Sequence, residues 1–142
     1  MYTLEEIAAL RKHCIDLKLH GREVLEKYTD EELQVICNGI GPGAFPAGVR
    51  KFVTSIHPTL ECCAFIHDVE WFEANGTKEH FTASNDRYAH NGVILAKAEY
   101  AWYNPVRYVV IAQGYRHART CQLCGWEAYL SCYEQGGGNE CG

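Results

Sequence analysis

No stretch of the chain approaches the ~20 consecutive apolar residues that span a bilayer, so a transmembrane helix is excluded. Clustered Lys and Arg are also missing: thirteen against eighteen Asp and Glu leave a net charge of −5. Phosphate-backbone recognition depends on such clusters, so no nucleic-acid partner is expected. Strong attraction to anionic lipid is disfavoured for the same reason. The opening Met1-Tyr2-Thr3-Leu4-Glu5-Glu6 lacks a basic region followed by an apolar core. No secretory signal is therefore expected, and the chain is expected in the cytoplasm on synthesis, with delivery by a phage particle or another signal-independent route left open. Few segments alternate with period two, no repeat recurs, and no linker is long enough to divide the 142 residues. These absences predict a single, mainly α domain over residues 1–142. A hydrophobic fraction of 47% excludes disorder of the whole chain.

What is abundant is cysteine: eight residues. In a secreted chain this short they would imply a disulfide framework; without a signal, reduced thiols or a metal site fit as well.

The first half reads as helical. Thr3 with Glu6 forms a capping-box pattern, and Leu4, Ile7, Ala8, Leu10, Cys14 and Ile15 follow at helical spacing. Thr29 with Glu32 repeats the pattern before a short helix from Asp30 to about Cys37. Asn38-Gly39-Ile40-Gly41-Pro42-Gly43 cannot be regular helix or strand. A Pro58-led helix is predicted to run to about Ala74, with Leu60, Cys63, Ala64, His67 and Trp71 as one stripe. Ser84 is a candidate cap for another helix from about Asn85 to Tyr100, and a further helix spans about Val106 to Arg119. Residues 98–135 form a helical part rich in cysteine and aromatics, and 136–142 a flexible glycine tail.

The chemistry concentrates in Gly39-Ile40-Gly41 and His67-Asp68. A glycine-rich turn can aim several carbonyl oxygens at one point, and calcium takes six to eight oxygen ligands, mixing carbonyls with carboxylate. Asp68 can supply the carboxylate from a helix. His67 beside it is rotated by about 100° and can face the same cleft. A metal-polarised carbonyl next to a histidine base hydrolyses an ester with water.

Cys37-Asn38-Gly39-Ile40-Gly41-Pro42, then Cys62-Cys63-Ala64-Phe65-Ile66-His67-Asp68-Val69-Glu70-Trp71, then Thr82-Ala83-Ser84-Asn85-Asp86-Arg87-Tyr88 resemble the phospholipase A2 superfamily in its short phage, bacterial and viral forms. The resemblance covers about residues 30–97. It implies two antiparallel core helices bearing His67 and Asp86, with a glycine-rich calcium loop. His67 would activate water and Asp86 would hold its imidazole. Asp68 would ligate calcium with the carbonyls of Cys37, Gly39 and Gly41. Trp71, where the family carries tyrosine, would support Asp86 through its indole N–H. The implied activity is calcium-dependent hydrolysis of the sn-2 ester of a glycerophospholipid, with phospholipid or a membrane surface as transient partner. The alternative is a non-catalytic relative acting through a protein partner. The resemblance also implies a loop-to-helix disulfide from Cys37 to Cys62 or Cys63.

Outside that region, Cys121 and Cys124 match half of a zinc site, with His117 and Cys132 as completers, and equally a disulfide or two buried thiols. Trp102, Tyr103, Tyr108, Tyr115, Trp126, Tyr129 and Tyr133 fit either a lipid-facing surface or core filling.

Overall fold

The computed structural model describes residues 1–39 and 56–137. Among these the regular structure is helical, with no strand: α1 Leu4–Asp16, α2 Asp30–Gly39, α3 Glu61–Phe72, α4 Lys78–Glu99, α5 Pro105–Cys124 and α6 Trp126–Gly137. Short 3-10 turns occupy Arg22–Lys27 and Pro58–Leu60. The mainly α expectation holds, and no helix among the described residues is long and apolar enough to cross a membrane.

Both capping boxes form. The Thr3 hydroxyl accepts the Glu6 N–H at 3.2 Å while the Glu6 carboxylate accepts the Thr3 N–H at 2.8 Å. Thr29 and Glu32 repeat the exchange at α2, again at 3.2 and 2.8 Å. Each cap is worth about 1 kcal/mol. The start of α4 differs from expectation. It opens at Lys78, not Asn85, because the Thr77 hydroxyl accepts the His80 N–H at 3.2 Å. Asn75 steadies that cap by accepting the Thr77 N–H and hydroxyl at 3.0 and 2.7 Å. Ser84 is instead a buried mid-helix residue. The last long helix, α5, runs past Arg119 to Cys124 from an Asn104 cap.

Burial then decides the arrangement. On α3, Cys62, Cys63, Phe65, Ile66, His67, Val69, Glu70 and Trp71 are all buried. A helix covered on nearly every side is the centre of a domain, and α3 packs against α1, α2, α4 and α6. The α3–α4 pair is antiparallel: Trp71 meets Ser84, His67 meets Asn85, and Leu60 meets Gly92. The α4–α5 pair is antiparallel too, with Thr82 against Gln122, Tyr88 stacked on His117 and Gly92 facing Gly114. A Cβ on Gly92 would sit 3.2 Å from a Leu60 methyl and 3.6 Å from the Gly114 Cα. The two glycines allow this close crossing.

The main core joins Ile7, Leu19, Leu25, Leu33, Phe65, Ile66, Val69, Leu95 and Val110. A second cluster of Trp71, Phe81, Cys121, Ala128 and Tyr129 lies where α6 closes on α3, α4 and α5. Burying each large side chain contributes about 1.5–3 kcal/mol, which fixes the rotation of α3 about its axis. The aromatic set divides. Tyr129 is core and Trp126 packs on it, while Trp102, Tyr103, Tyr108, Tyr115 and Tyr133 are exposed.

Candidate functional site

Within one turn the central helix carries three ionisable side chains, His67, Asp68 and Glu70. Unpaired buried charge is costly, so the partner each one finds is informative. Glu70 has Arg87 of α4 against one oxygen. Burial still pushes its carboxyl up to about 7, against the pull of Arg87.

His67 is buried, with its Nε2 2.8 Å from Oδ1 of Asn85 on α4. The Asn85 amide is itself oriented, because its Nδ2 donates to Gln122 Oε1 at 2.8 Å. Gln122 Nε2 in turn donates to the Thr82 hydroxyl at 3.0 Å. An amide oxygen only accepts, so Nε2 of His67 carries the ring proton. The relay Thr82–Gln122–Asn85 therefore holds one tautomer and leaves Nδ1 with a lone pair. Trp71 and Tyr88 confine the ring, at centroid distances of 4.7 and 5.5 Å. Burial pushes the imidazole down to about 4; the Asn85 bond acts against this and the Arg87 charge adds to it. His67 is thus neutral at pH 7.

Asp68 differs from both. It is half-buried and has no hydrogen bond or ion pair among the described residues. Burial pushes its carboxyl up to about 8. When ionised, its charge opposes ionisation of Tyr2, Cys37, Tyr88, Cys121 and Cys132. The Tyr88 hydroxyl is buried and lacks a hydrogen-bond partner among the described residues. Cys37 lies in the last turn of α2, a turn with no basic residue. Terminal helix carbonyls are unpaired within the helix and carry partial negative charge.

Of the expected calcium ligands, Asp68 on α3 and the carbonyls of Cys37 and Gly39 at the end of α2 lie among the described residues. Asn38 and Gly39, expected outside regular structure, are instead the last two residues of α2; Gly41 lies outside the described residues. No group of three or more His, Cys, Asp or Glu side chains among the described residues could hold a metal. A site built mainly from backbone carbonyls needs no such group.

Two expected roles are corrected. Asp86 does not meet His67: it is exposed, and its neighbour Asn85 is the partner. Adjacent helix residues point about 100° apart, so only one of the two can face α3. Trp71 accordingly donates to the Ser84 hydroxyl at 3.0 Å rather than to Asp86, and Ser84 passes its own proton to the Phe81 carbonyl at 2.8 Å. The cysteines also differ. Cys14, Cys37, Cys62, Cys63, Cys121, Cys124 and Cys132 are free thiols. The implied bridge from Cys37 to Cys62 or Cys63 is therefore not formed. Cys121 is buried and Cys124 exposed, and with His117 and Cys132 they assemble no metal cluster among the described residues.

Asn85, Gln122 and Tyr88 were not singled out in the sequence as site residues. A signal for two of them exists: Phe81, Ser84, Asn85, Tyr88 and Gly92 recur at helical spacing and are all buried, whereas Asp86 falls off that stripe. No family model, curated protein or solved structure matches the chain. The functional reading therefore rests on its own residues.

Proposed function

We propose that the protein is a calcium-dependent esterase of phospholipase A2 type, acting on the sn-2 ester of a glycerophospholipid. The observation that carries this reading is the relay Thr82–Gln122–Asn85–His67, which engages Nε2 and leaves Nδ1 unprotonated, on the residue before Asp68 in α3. His67 takes a proton from water through Nδ1 and later returns it to the leaving alkoxide. Asn85 keeps Nε2 protonated throughout, so the base acts from one nitrogen. Tyr88 and Trp71 keep the ring from rotating. Asp68 and the carbonyls of Cys37 and Gly39, with Gly41 from the glycine-rich loop, would hold the ion. Calcium, when bound, supplies the positive charge that polarises the ester carbonyl and stabilises the oxyanion. The phospholipid substrate comes from the resemblance of the three motifs; the geometry alone supports metal-assisted hydrolysis.

One observation favours the second reading, a non-catalytic relative that binds a protein partner. Asn85 is neutral where a carboxylate would balance the imidazolium formed during turnover. The ring must therefore be charged in a site that disfavours charge.

The deciding experiment follows hydrolysis of mixed-micelle phospholipid with calcium and with chelator. The expected result is calcium-dependent turnover by the wild type, reduced about 10²–10⁴-fold in His67→Gln. Absence of turnover by wild type with ample calcium, or equal turnover by His67→Gln, leaves the binding reading in its place.

A further inference from the structure

Four buried cysteines surround the junction of α1, α2 and α3: Cys14, Cys37, Cys62 and Cys63. Their sulfurs do not share one position. Cys63 Sγ faces α4, where it would lie 3.9 Å from a Cβ on Gly92. Cys37 lies by Asp68, the charged neighbour that, after burial, raises its proton affinity. Cys14 and Cys62 face each other. Cys14 Sγ is 4.0 Å from the carbonyl oxygen of Cys62, and Cys62 Sγ is 3.9 Å from the carbonyl oxygen of Leu10. Leu10 is one turn before Cys14, and in the helix ladder its carbonyl takes the Cys14 N–H. Cys14 Sγ is thus seated against the backbone of Cys62, and Cys62 Sγ against the turn of α1 that precedes Cys14. A disulfide needs Cα atoms about 4.4–6.8 Å apart, and these two contacts place both side chains on the facing surfaces of α1 and α3.

We propose that Cys14 and Cys62 form the chain's oxidative cross-link, a covalent modification site that staples α1 to the helix bearing His67. The pairing crosses from α1, which lies outside the region of family resemblance, and it excludes the Cys37–Cys62 form of the bridge that the resemblance implies. Oxidation removes two protons and two electrons from the two thiols and forms one S–S bond. A disulfide oxidant such as glutathione disulfide accepts both electrons and both protons and leaves as two thiols, through a mixed disulfide. The thiolate is the attacking form. Both sulfurs are buried in the folded chain, and contact with Cys62 together with burial holds the Cys14 proton far more tightly than usual. The cross-link therefore forms while the chain folds in an oxidising medium, and resists exchange once buried.

The test refolds the full reduced chain in a glutathione redox buffer, blocks free thiols and maps linked peptides by mass spectrometry, with fragmentation to separate Cys62 from Cys63. The expected product is Cys14–Cys62, retained in Cys37→Ser and in Cys63→Ser and lost in Cys14→Ala. Closing a loop of this length constrains the unfolded chain, so the oxidised wild type should melt on the order of 10 °C above its reduced form. Cys14→Ala should show no such difference between oxidised and reduced samples. A dominant bridge from Cys37 to Cys62, or from Cys14 to Cys63, or eight unlinked thiols after oxidative refolding would overturn the proposal.

Discussion

Nε2 of His67 and Oδ1 of Asn85 lie 2.8 Å apart, joining the buried centre of α3 to α4. This contact uses a neutral partner. It orients the imidazole and assigns its proton, but it does not stabilise a positive ring as a carboxylate would. Orientation and charge compensation are thus separated in this site, and each can be probed alone.

Replacing Asn85 with Asp should restore the compensation. A carboxylate within hydrogen-bond reach of an imidazole raises its pKa by about one unit or more. NMR titration of His67 should therefore move up from about 4 toward the ordinary 6.5. Asp86→Asn, changing an exposed residue, should leave the same titration where it is. A shift in the second variant and none in the first would mean that the facing residue is Asp86 after all.

The pH profile of hydrolysis should reflect the buried imidazole. A base with a pKa of about 4 is unprotonated throughout the neutral range. Initial rates with saturating calcium should therefore be level near pH 6.5, with any acidic limb lying well below it. A limb centred at the ordinary histidine value would place the working base in a more solvated position than His67 occupies.

Stability should depend on pH through Asp68. Its carboxyl ionises near 3.8 in the unfolded chain and at about 8 in the folded one. Between these values the unfolded chain binds fewer protons, so the Asp68 contribution is complete below the lower value and is lost as pH rises through the upper. His67, lowered from 6.5 to about 4, acts in the opposite sense at acid pH, so the region above 6.5 isolates the carboxylates. Glu70, raised to about 7, adds to the decline just there. With chelator present, the urea midpoint of the wild type should fall from neutral to mildly alkaline pH, and Asp68→Asn should fall less. Equal declines in the two proteins would show that Asp68 is well solvated.

The α4–α5 crossing should be intolerant of bulk. In Gly92→Val the new Cβ meets a Leu60 methyl at 3.2 Å before its own methyls are placed. Overpacking of this kind costs about 1–3 kcal/mol. Urea denaturation should report a loss in that range, and a variant as stable as wild type would mean that the helices separate without penalty.

Helix starts were legible in the sequence wherever the signal was local. Thr3–Glu6 and Thr29–Glu32 are short-range exchanges, and each appears in the structure as its spacing predicts. The start of α4 was misplaced because two caps competed. Ser84 and Thr77 both carry the right hydroxyl, and Thr77 prevails because Asn75 orders the turn before it while Ser84 is drawn into the core. Moving that start seven residues upstream changes the apparent stripe. Read from Lys78, the buried positions run Phe81, Ser84, Asn85 and Tyr88, and Asp86 turns to solvent.

By itself, the sequence determined that the chain is mainly helical and which residue types are available for chemistry: a histidine and an aspartate adjacent on one helix, a glycine-rich segment before it, and an excess of cysteine. Tertiary structure alone decided which of Ser84, Asn85 and Asp86 meets His67, and which of Cys37, Cys62 and Cys63 meets Cys14. Both choices turn on rotations of about 100° between neighbouring helix positions. Those rotations are set by burying the large apolar side chains of the core, a requirement spread over distant parts of the chain.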